Sequence, residues 1–315
     1  MPGGFSPDLV WIKNRGQARW HSVFDQVRGA YRRLFTNATN AEANDVGFNL
    51  DSFTSTGFTL LDTDRDTNSS AGDAYVAWCW DAGSSTVTNT QGSITSQVRA
   101  NPSAGFSVVT YTGNGSGNQT VGHGLGAAPH FIICKIRSGS DNWAVYHSSL
   151  GATGRISLNT TGAAFSGNAW DVTPTSSVFT IQTSGEVNGN GSTYVAYCFA
   201  PVAGYSSFGS YTGNGSSDGT FVFCGFRPRF ILIKRTDSSG QWTMYDTARD
   251  SSNVSKTPLA PNEATAESGF TSGYNLDILS NGFKWRDAGT VNNASGGTYI
   301  YFAVAESPFQ YARAR

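Results

Sequence analysis

Pro7-Asp-Leu-Val-Trp-Ile-Lys13 returns as Pro129-His-Phe-Ile-Ile-Cys-Lys135 and again as Pro228-Arg-Phe-Ile-Leu-Ile-Lys234. Each copy is a proline, a short apolar run rich in β-branched and aromatic residues, and a lysine, which reads as a strand. A tryptophan follows each copy, with an aromatic-polar pair just beyond it: Trp20 with Phe24-Asp25, Trp143 with Tyr146-His147, and Trp242 with Tyr245-Asp246. Further on, Leu34, Leu158 and Leu259 each precede an Asn-containing turn at Asn37, Asn159 and Asn262. An aromatic strand then closes each unit: Tyr75-Val-Ala-Trp-Cys-Trp80, Tyr194-Val-Ala-Tyr-Cys-Phe199 and Tyr299-Ile-Tyr-Phe-Ala-Val304. The same landmarks in the same order predict an all-β chain of three tandem homologous β-sandwich-like modules of jelly-roll or lectin-like type. Their expected bounds are 1–82, 105–203 and 204–315, with 83–104 as a polar spacer.

Each closing strand is apolar on both faces, as period-two alternation shows for Tyr75, Ala77 and Cys79 against Val76, Trp78 and Trp80. Such a strand is expected either at the centre of a two-sheet sandwich or sealed against a neighbouring module, and on either reading as the core of its unit. The second and third units also share a prelude, Tyr111-Thr-Gly-Asn-Gly-Ser116 and Tyr211-Thr-Gly-Asn-Gly-Ser216. Asn-Gly between extended segments predicts a hairpin with a type I′ turn. The first unit opens at its proline strand without this hairpin, so one sheet edge is expected to lack its cover, and the spacer is a candidate to fold back over it.

Composition narrows the function. The 315 residues carry 21 Lys+Arg against 22 Asp+Glu, so the basic excess that nucleic-acid binding requires is missing. No apolar run is long enough to span a bilayer, and the opening MPGGFSPDLV has no charged and apolar leader pattern, so neither membrane insertion nor export is expected. Cys79, Cys134, Cys198 and Cys224 are then expected as free, buried thiols.

Candidate chemistry is sparse. Asp62, Asp64 and Asp66, with Asp73 beyond, have the alternating carboxylates of a calcium loop. Thr67 stands where the sharp turn needs glycine, so a solvated acidic loop is the expectation. The four histidines lack ligand spacing, no Gly-x-Ser-x-Gly elbow occurs, and the repeated Asp25, His147 and Asp246 read as architecture because one catalytic role would not suit both residue types. Lys13, Lys135 and Lys234 are expected to lay their stems over a tryptophan and keep their ammonium groups in water. Trp170 and Trp285, if exposed, could stack on sugar rings, but core packing is the expected fate of a tryptophan. No enzyme activity, catalytic residue or cofactor is expected.

The strings FSPDLVWIKNR, GDAYVAWCWDAG, VGHGLGAAPHFIICK, STYVAYCFAPVAGYSSFGSYTGNGSSDG and GFRPRFILIKR resemble repeat modules of virion structural proteins from tailed bacteriophages, especially marine and cyanobacterial ones. The resemblance covers nearly the whole chain and carries no catalytic residues. Similar proteins have a Tyr-Thr-Gly-Asn-Gly hairpin ahead of the first proline strand, and here the chain starts after it. The resemblance implies a non-enzymatic protein assembled in the host cytoplasm and exposed on the particle as a tail-fibre or host-adhesion component. The rivals are a capsid decoration or head-fibre protein and a glycan-binding or glycan-cleaving module. Implied partners are other virion proteins, further copies in a trimer by analogy with fibres, and host surface glycan.

Overall fold

The computed structural model describes residues 4–61, 64–69 and 72–307, and nearly all its regular structure is strand. The first segment contains β1 (Leu9–Asn14), β2 (Ser22–Asp25), β3 (Gly29–Phe35), β4 (Ala43–Asn44), β5 (Leu50–Thr54), β6 (Gly57–Leu60) and β7 (Tyr75–Trp80). Next come β8 (Thr86–Asn89), β9 (Ser96–Asn101), β10 (Phe106–Thr112), β11 (Gln119–Gly122), β12 (Phe131–Ile136), β13 (Ala144–His147), β14 (Gly154–Ser157), β15 (Phe165–Ser166), β16 (Val178–Ile181), the short helix α1 (Gly185–Asn188) and β17 (Thr193–Phe199). The last segment contains β18 (Ser206–Thr212), β19 (Phe221–Phe223), β20 (Pro228–Arg235), β21 (Trp242–Asp246), β22 (Leu276–Leu279), β23 (Gly282–Trp285), α2 (Thr290–Asn293) and β24 (Thr298–Ala305).

The proline strands and closing strands pair with each other, and in one register. Leu9 faces Trp80, Phe131 faces Phe199 and Phe230 faces Val304, while Lys13, Lys135 and Lys234 face Val76, Val195 and Ile300. The large sheets run β4-β3-β2-β1-β7, β15-β14-β13-β12-β17-β10-β9-β8 and β18-β24-β20-β21. Each is covered on one face by a small sheet: β5-β6, β11-β16 and β19-β23-β22 respectively.

The other faces of the large sheets meet in a single core. Trp11, Trp78 and Trp80 from the first, Phe106, Phe131 and Phe199 from the second, and Phe230, Leu232 and Phe302 from the third form one buried cluster. Rings from different sheets touch directly, Trp80 with Phe199 at 6.1 Å and with Phe230 at 5.8 Å, and Phe199 with Phe302 at 5.0 Å between centroids. The two-sided apolar pattern of the closing strands thus has its cause: one side serves the small sheet and the other the shared core.

Two expectations are corrected. The Tyr-Thr-Gly-Asn-Gly segments are not hairpins, because β10 pairs with β17 while β11 pairs with β16, and β18 pairs with β24 while β19 pairs with β23. The turn carries the chain from the large sheet to the small one. Only its glycine, Gly115 at φ 74° or Gly215 at φ 64°, has positive φ, so the turn is not of the I′ type. Residues 83–104 do not fold back over the first sheet: they form β8 and β9, which extend the second sheet beyond β10. That segment reaches the first one at the Arg99–Asp8 ion pair, 2.5 Å.

Candidate functional site

The repeated polar residues sit at the seams between the three sheets. The backbone N–H groups of His21, Trp143 and Trp242 donate to Oδ1 of Asn37, Asn159 and Asn262 at 3.0, 2.9 and 3.0 Å, which fixes the corner after each proline strand. From that corner a ring reaches into the preceding unit. Trp143 Nε1 donates to the Phe35 carbonyl at 2.9 Å, and Trp242 Nε1 to that of Ser157 at 3.0 Å. His21 Nε2 faces the Ala260 backbone without closing a full hydrogen bond, and burial pushes its pKa well below the ordinary value. The first landmark is therefore His21, not Trp20, which is 40% exposed and packs edge-on against Phe35.

The lysines depart from expectation in the same way. Lys13, Lys135 and Lys234 are fully buried, and burial pushes each ammonium down to about 8. Lys135 Nζ donates to the carbonyls of Ile136 and Thr39, both at 3.0 Å, and Lys234 Nζ to Arg235 at 2.7 Å and Thr161 at 3.2 Å. Thr39 and Thr161 belong to the preceding unit, so these lysines clamp neighbours together rather than reach water. Lys13 donates to Asn14 and Gln17, within its own unit.

Asp25, His147 and Asp246 each reach the closing strand of the next unit. Tyr197 Oη donates to Asp25 at 2.8 Å, His147 Nε2 lies 3.1 Å from the Tyr301 carbonyl, and Trp78 Nε1 donates to Asp246 at 3.0 Å. The two aspartates are also paired with Arg28 and Arg249, at 2.5 and 2.6 Å. Sequence reasoning missed these arginines, although the Asp-x-x-Arg spacing occurs in both units. Arg28 and Asp25 are sealed from solvent, so that pair holds its seam from within, whereas Asp246 also lines the cavity beside Trp78.

The other candidates resolve similarly. Asp64 and Asp66 surround Arg33 at 2.8 and 3.5 Å, Asp73 accepts from the Asn14 amide at 3.1 Å, and Asp62 lies outside the described residues. Among the described residues no group of three or more His, Cys, Asp or Glu is placed to hold a metal ion. The four cysteines are free, and burial pushes the thiols of Cys79, Cys134 and Cys224 up to about 12. Trp170 and Trp285 are core residues, not exposed sugar platforms.

Tyr194 and Tyr299 stack on the tyrosines facing them across the sheet, Tyr111 and Tyr211, with ring centroids 5.2 and 4.8 Å apart. The adjoining turns are pinned by buried asparagines that the sequence did not reveal. Asn188 accepts from the Asn114 backbone and donates to the Ser116 carbonyl, and Asn293 does the same for Asn214 and Ser216.

Among the described residues Tyr75 has no such partner strand. β7 ends its sheet where β10 and β18 cover β17 and β24. Tyr75, Ala77 and Cys79 are accordingly only partly buried, whereas Tyr194, Ala196 and Cys198 are fully buried. Beside this edge lies a cavity of about 310 Å³ lined by Phe5, Val76, Trp78, Trp80, Phe230 and Val304. A second of about 750 Å³ continues past Cys79, Asn101 and Tyr205.

Over residues 2–308 the chain matches a family described as Domain of unknown function (DUF7483). The chain belongs to that family. No curated protein and no solved structure matches it.

Proposed function

We propose that this DUF7483 chain is a non-enzymatic structural protein of a tailed-bacteriophage particle. In this reading it is a surface-exposed tail-fibre or host-adhesion component, built of three tandem homologous β-sandwich-like modules near 1–82, 105–203 and 204–315. The observation that carries the proposal is how the repeated polar residues are used. At each seam, buried side chains of types that elsewhere do chemistry are engaged in contacts that join one unit to the next. Such a molecule is built for rigidity. Its partners in this reading are other virion proteins and further copies of itself, with host surface glycan as the target.

The resemblance of the repeated strings to virion modules supplies the location, and the shared aromatic core supplies the durability a particle surface needs. Some loops that a sandwich would offer for recognition are committed here: 184–192 and 287–297 carry Asn188 and Asn293, which pin neighbouring turns. Quantitative mass spectrometry of purified particles tests the proposal. A few copies per particle, matching fibre number, are expected. Hundreds of copies would replace the fibre with a capsid decoration, and absence from particles would overturn the virion reading. Release of reducing ends from host polysaccharide by the purified protein would overturn the non-enzymatic part.

A further inference from the structure

Among the described residues no strand lies beyond β19 in its small sheet, and the second unit shows what such an edge takes. Val222 faces Phe283 as Val121 faces Phe179, so Phe221 and Phe223 hold the places of Thr120 and Gly122. In the second unit that edge is covered by residues 93–96. Ile94 N donates to Thr120 O at 3.0 Å, Thr120 N donates to Ser93 Oγ at 2.8 Å, and Ser96 Oγ donates to Gly122 O at 2.9 Å. The cover there is polypeptide, bonded to the backbone of the edge. The third unit has no chain to spare for it: residues 200–205 join β17 to β18 directly, whereas β8 and β9 intervene between β7 and β10.

The bare edge is also apolar. Trp285 N donates to Thr220 O and Cys224 N to Asn281 O, so by alternation Val222 turns its polar backbone groups toward β23 while Phe221 and Phe223 turn theirs outward. Of these outward groups the Phe223 carbonyl has the Tyr301 hydroxyl at 3.3 Å, and the others have no partner among the described residues. The two rings share the outer face of the sheet, 43% and 64% exposed, with Val222 buried between them. Phe223 lies across from Gly282, which offers it no side chain to pack on. Sheet edges are usually blunted by lysine, proline or a bulge, and β19 has none of these.

We propose that β19 docks on β19 of a second copy of this chain, the two strands running antiparallel about a twofold axis at Val222. Self-complementarity selects a second copy as the occupant. About that axis Phe221 of each copy lies opposite Phe223 of the other, at the positions where antiparallel strands exchange both backbone hydrogen bonds. Every outward N–H then meets a carbonyl with no other sequence required. The rings of both copies fall on one face as cross-strand aromatic pairs, which takes them out of water. Lys284 and Asp218, paired at 2.6 Å, stand beside Phe221 as a polar rim. The contact rests on the reading that further copies are partners, and it joins them in pairs rather than threes.

Sedimentation equilibrium of the full chain over a concentration series tests this. The mass is expected to rise from that of one chain to that of two, and Phe223→Lys is expected to hold it at one with the melting profile of the parent, because the ring it removes is exposed. Val87→Lys, at a similarly exposed position on the free edge strand β8, is expected to leave the dimer intact. Hydrogen exchange locates the contact: the amides of Phe221 and Phe223 slow as the dimer forms, whereas that of Val222, turned toward β23 in either state, does not change. A parent that is monomeric at every concentration, a dimer that survives Phe223→Lys, or a trimer overturns the proposal. Protection of Phe221 and Phe223 found only in assembled particles also overturns it, since another particle protein would then be the occupant. None of these results touches the virion reading, which is tested by presence and copy number in particles.

Discussion

Trp143 and Trp20 follow their proline strands at similar distances, and the structure predicts opposite fates for their removal. Trp143 is fully buried in the shared core, and its N–H serves two carbonyls of the preceding unit, those of Phe35 at 2.9 Å and Ala38 at 3.2 Å. Truncating a buried tryptophan to alanine costs about 3–5 kcal/mol through lost burial and the cavity left behind. A carbonyl left without its donor adds roughly 1–3 kcal/mol unless water enters. Trp143→Ala is therefore expected to lose at least about 4 kcal/mol, a large share of the roughly 5–15 kcal/mol typical of a folded protein. Trp143→Phe keeps most of the apolar area and should cost about 1–2 kcal/mol, which guards against a variant that does not fold. Trp20, at 40% exposure with one edge-on contact to Phe35, should cost under about 1 kcal/mol as alanine. Urea unfolding followed by far-ultraviolet circular dichroism gives all three values from the midpoint and slope. If Trp20→Ala costs as much as Trp143→Ala, the assignment of His21 to the corner position is wrong.

Other outcomes follow from the same contacts. Arg28→Met leaves the Asp25 carboxylate buried beside Tyr197 and should lose roughly 3–5 kcal/mol, part of it recovered when Asp25→Asn is added; no recovery in the double variant would count against a buried ion pair. Gly213→Ala places a Cβ 2.3 Å from the Ala294 carbonyl and should destabilise by roughly 1–3 kcal/mol, whereas Gly126→Ala meets open space and is strained through its φ of 70° alone. Burial pushes His147 down to about 4, so the unfolded chain takes up a proton between about pH 6.5 and 4 while the folded chain does not. Stability from this group is lost as pH falls through that window, by up to about 3 kcal/mol. Burial pushes Asp8 up to about 6, which works in the opposite sense between its ordinary 3.8 and 6, so the His147 effect is read as the difference between parent and His147→Gln. A variant with the parent's acid sensitivity would refute it. Millimolar calcium should leave the melting temperature unchanged, because Asp64 and Asp66 are committed to Arg33.

Much of the architecture is legible in the sequence because it is carried by strands whose pairing recurs. The register of Leu9, Phe131 and Phe230 against Trp80, Phe199 and Val304 makes the alignment of the proline and closing strands a physical one. What the repeat left open was whether its closing strands are sealed within a unit or against its neighbours, and one face of each lies in a core shared by all three. Period-two patterning says that Trp78 and Phe302 are buried but not that they are buried against each other's sheets. The lysines were misjudged for the same reason, since Thr39 and Thr161 come near Lys135 and Lys234 only once the units have docked. Asn-Gly signalled a turn correctly and its type incorrectly, because the strands on either side belong to different sheets and no two-residue hairpin forms. The seam contacts of Asp25 and Asp246 had a readable signal in the arginine three residues on; those of His147 had none.

Differential scanning calorimetry of the full chain tests the central claim, that three sheets close around one core. The account predicts one transition whose calorimetric enthalpy equals its van't Hoff enthalpy, with Trp80→Ala lowering the whole transition because that ring touches both the second and the third sheets. Separate transitions, with Trp80→Ala shifting only one of them, would contradict it.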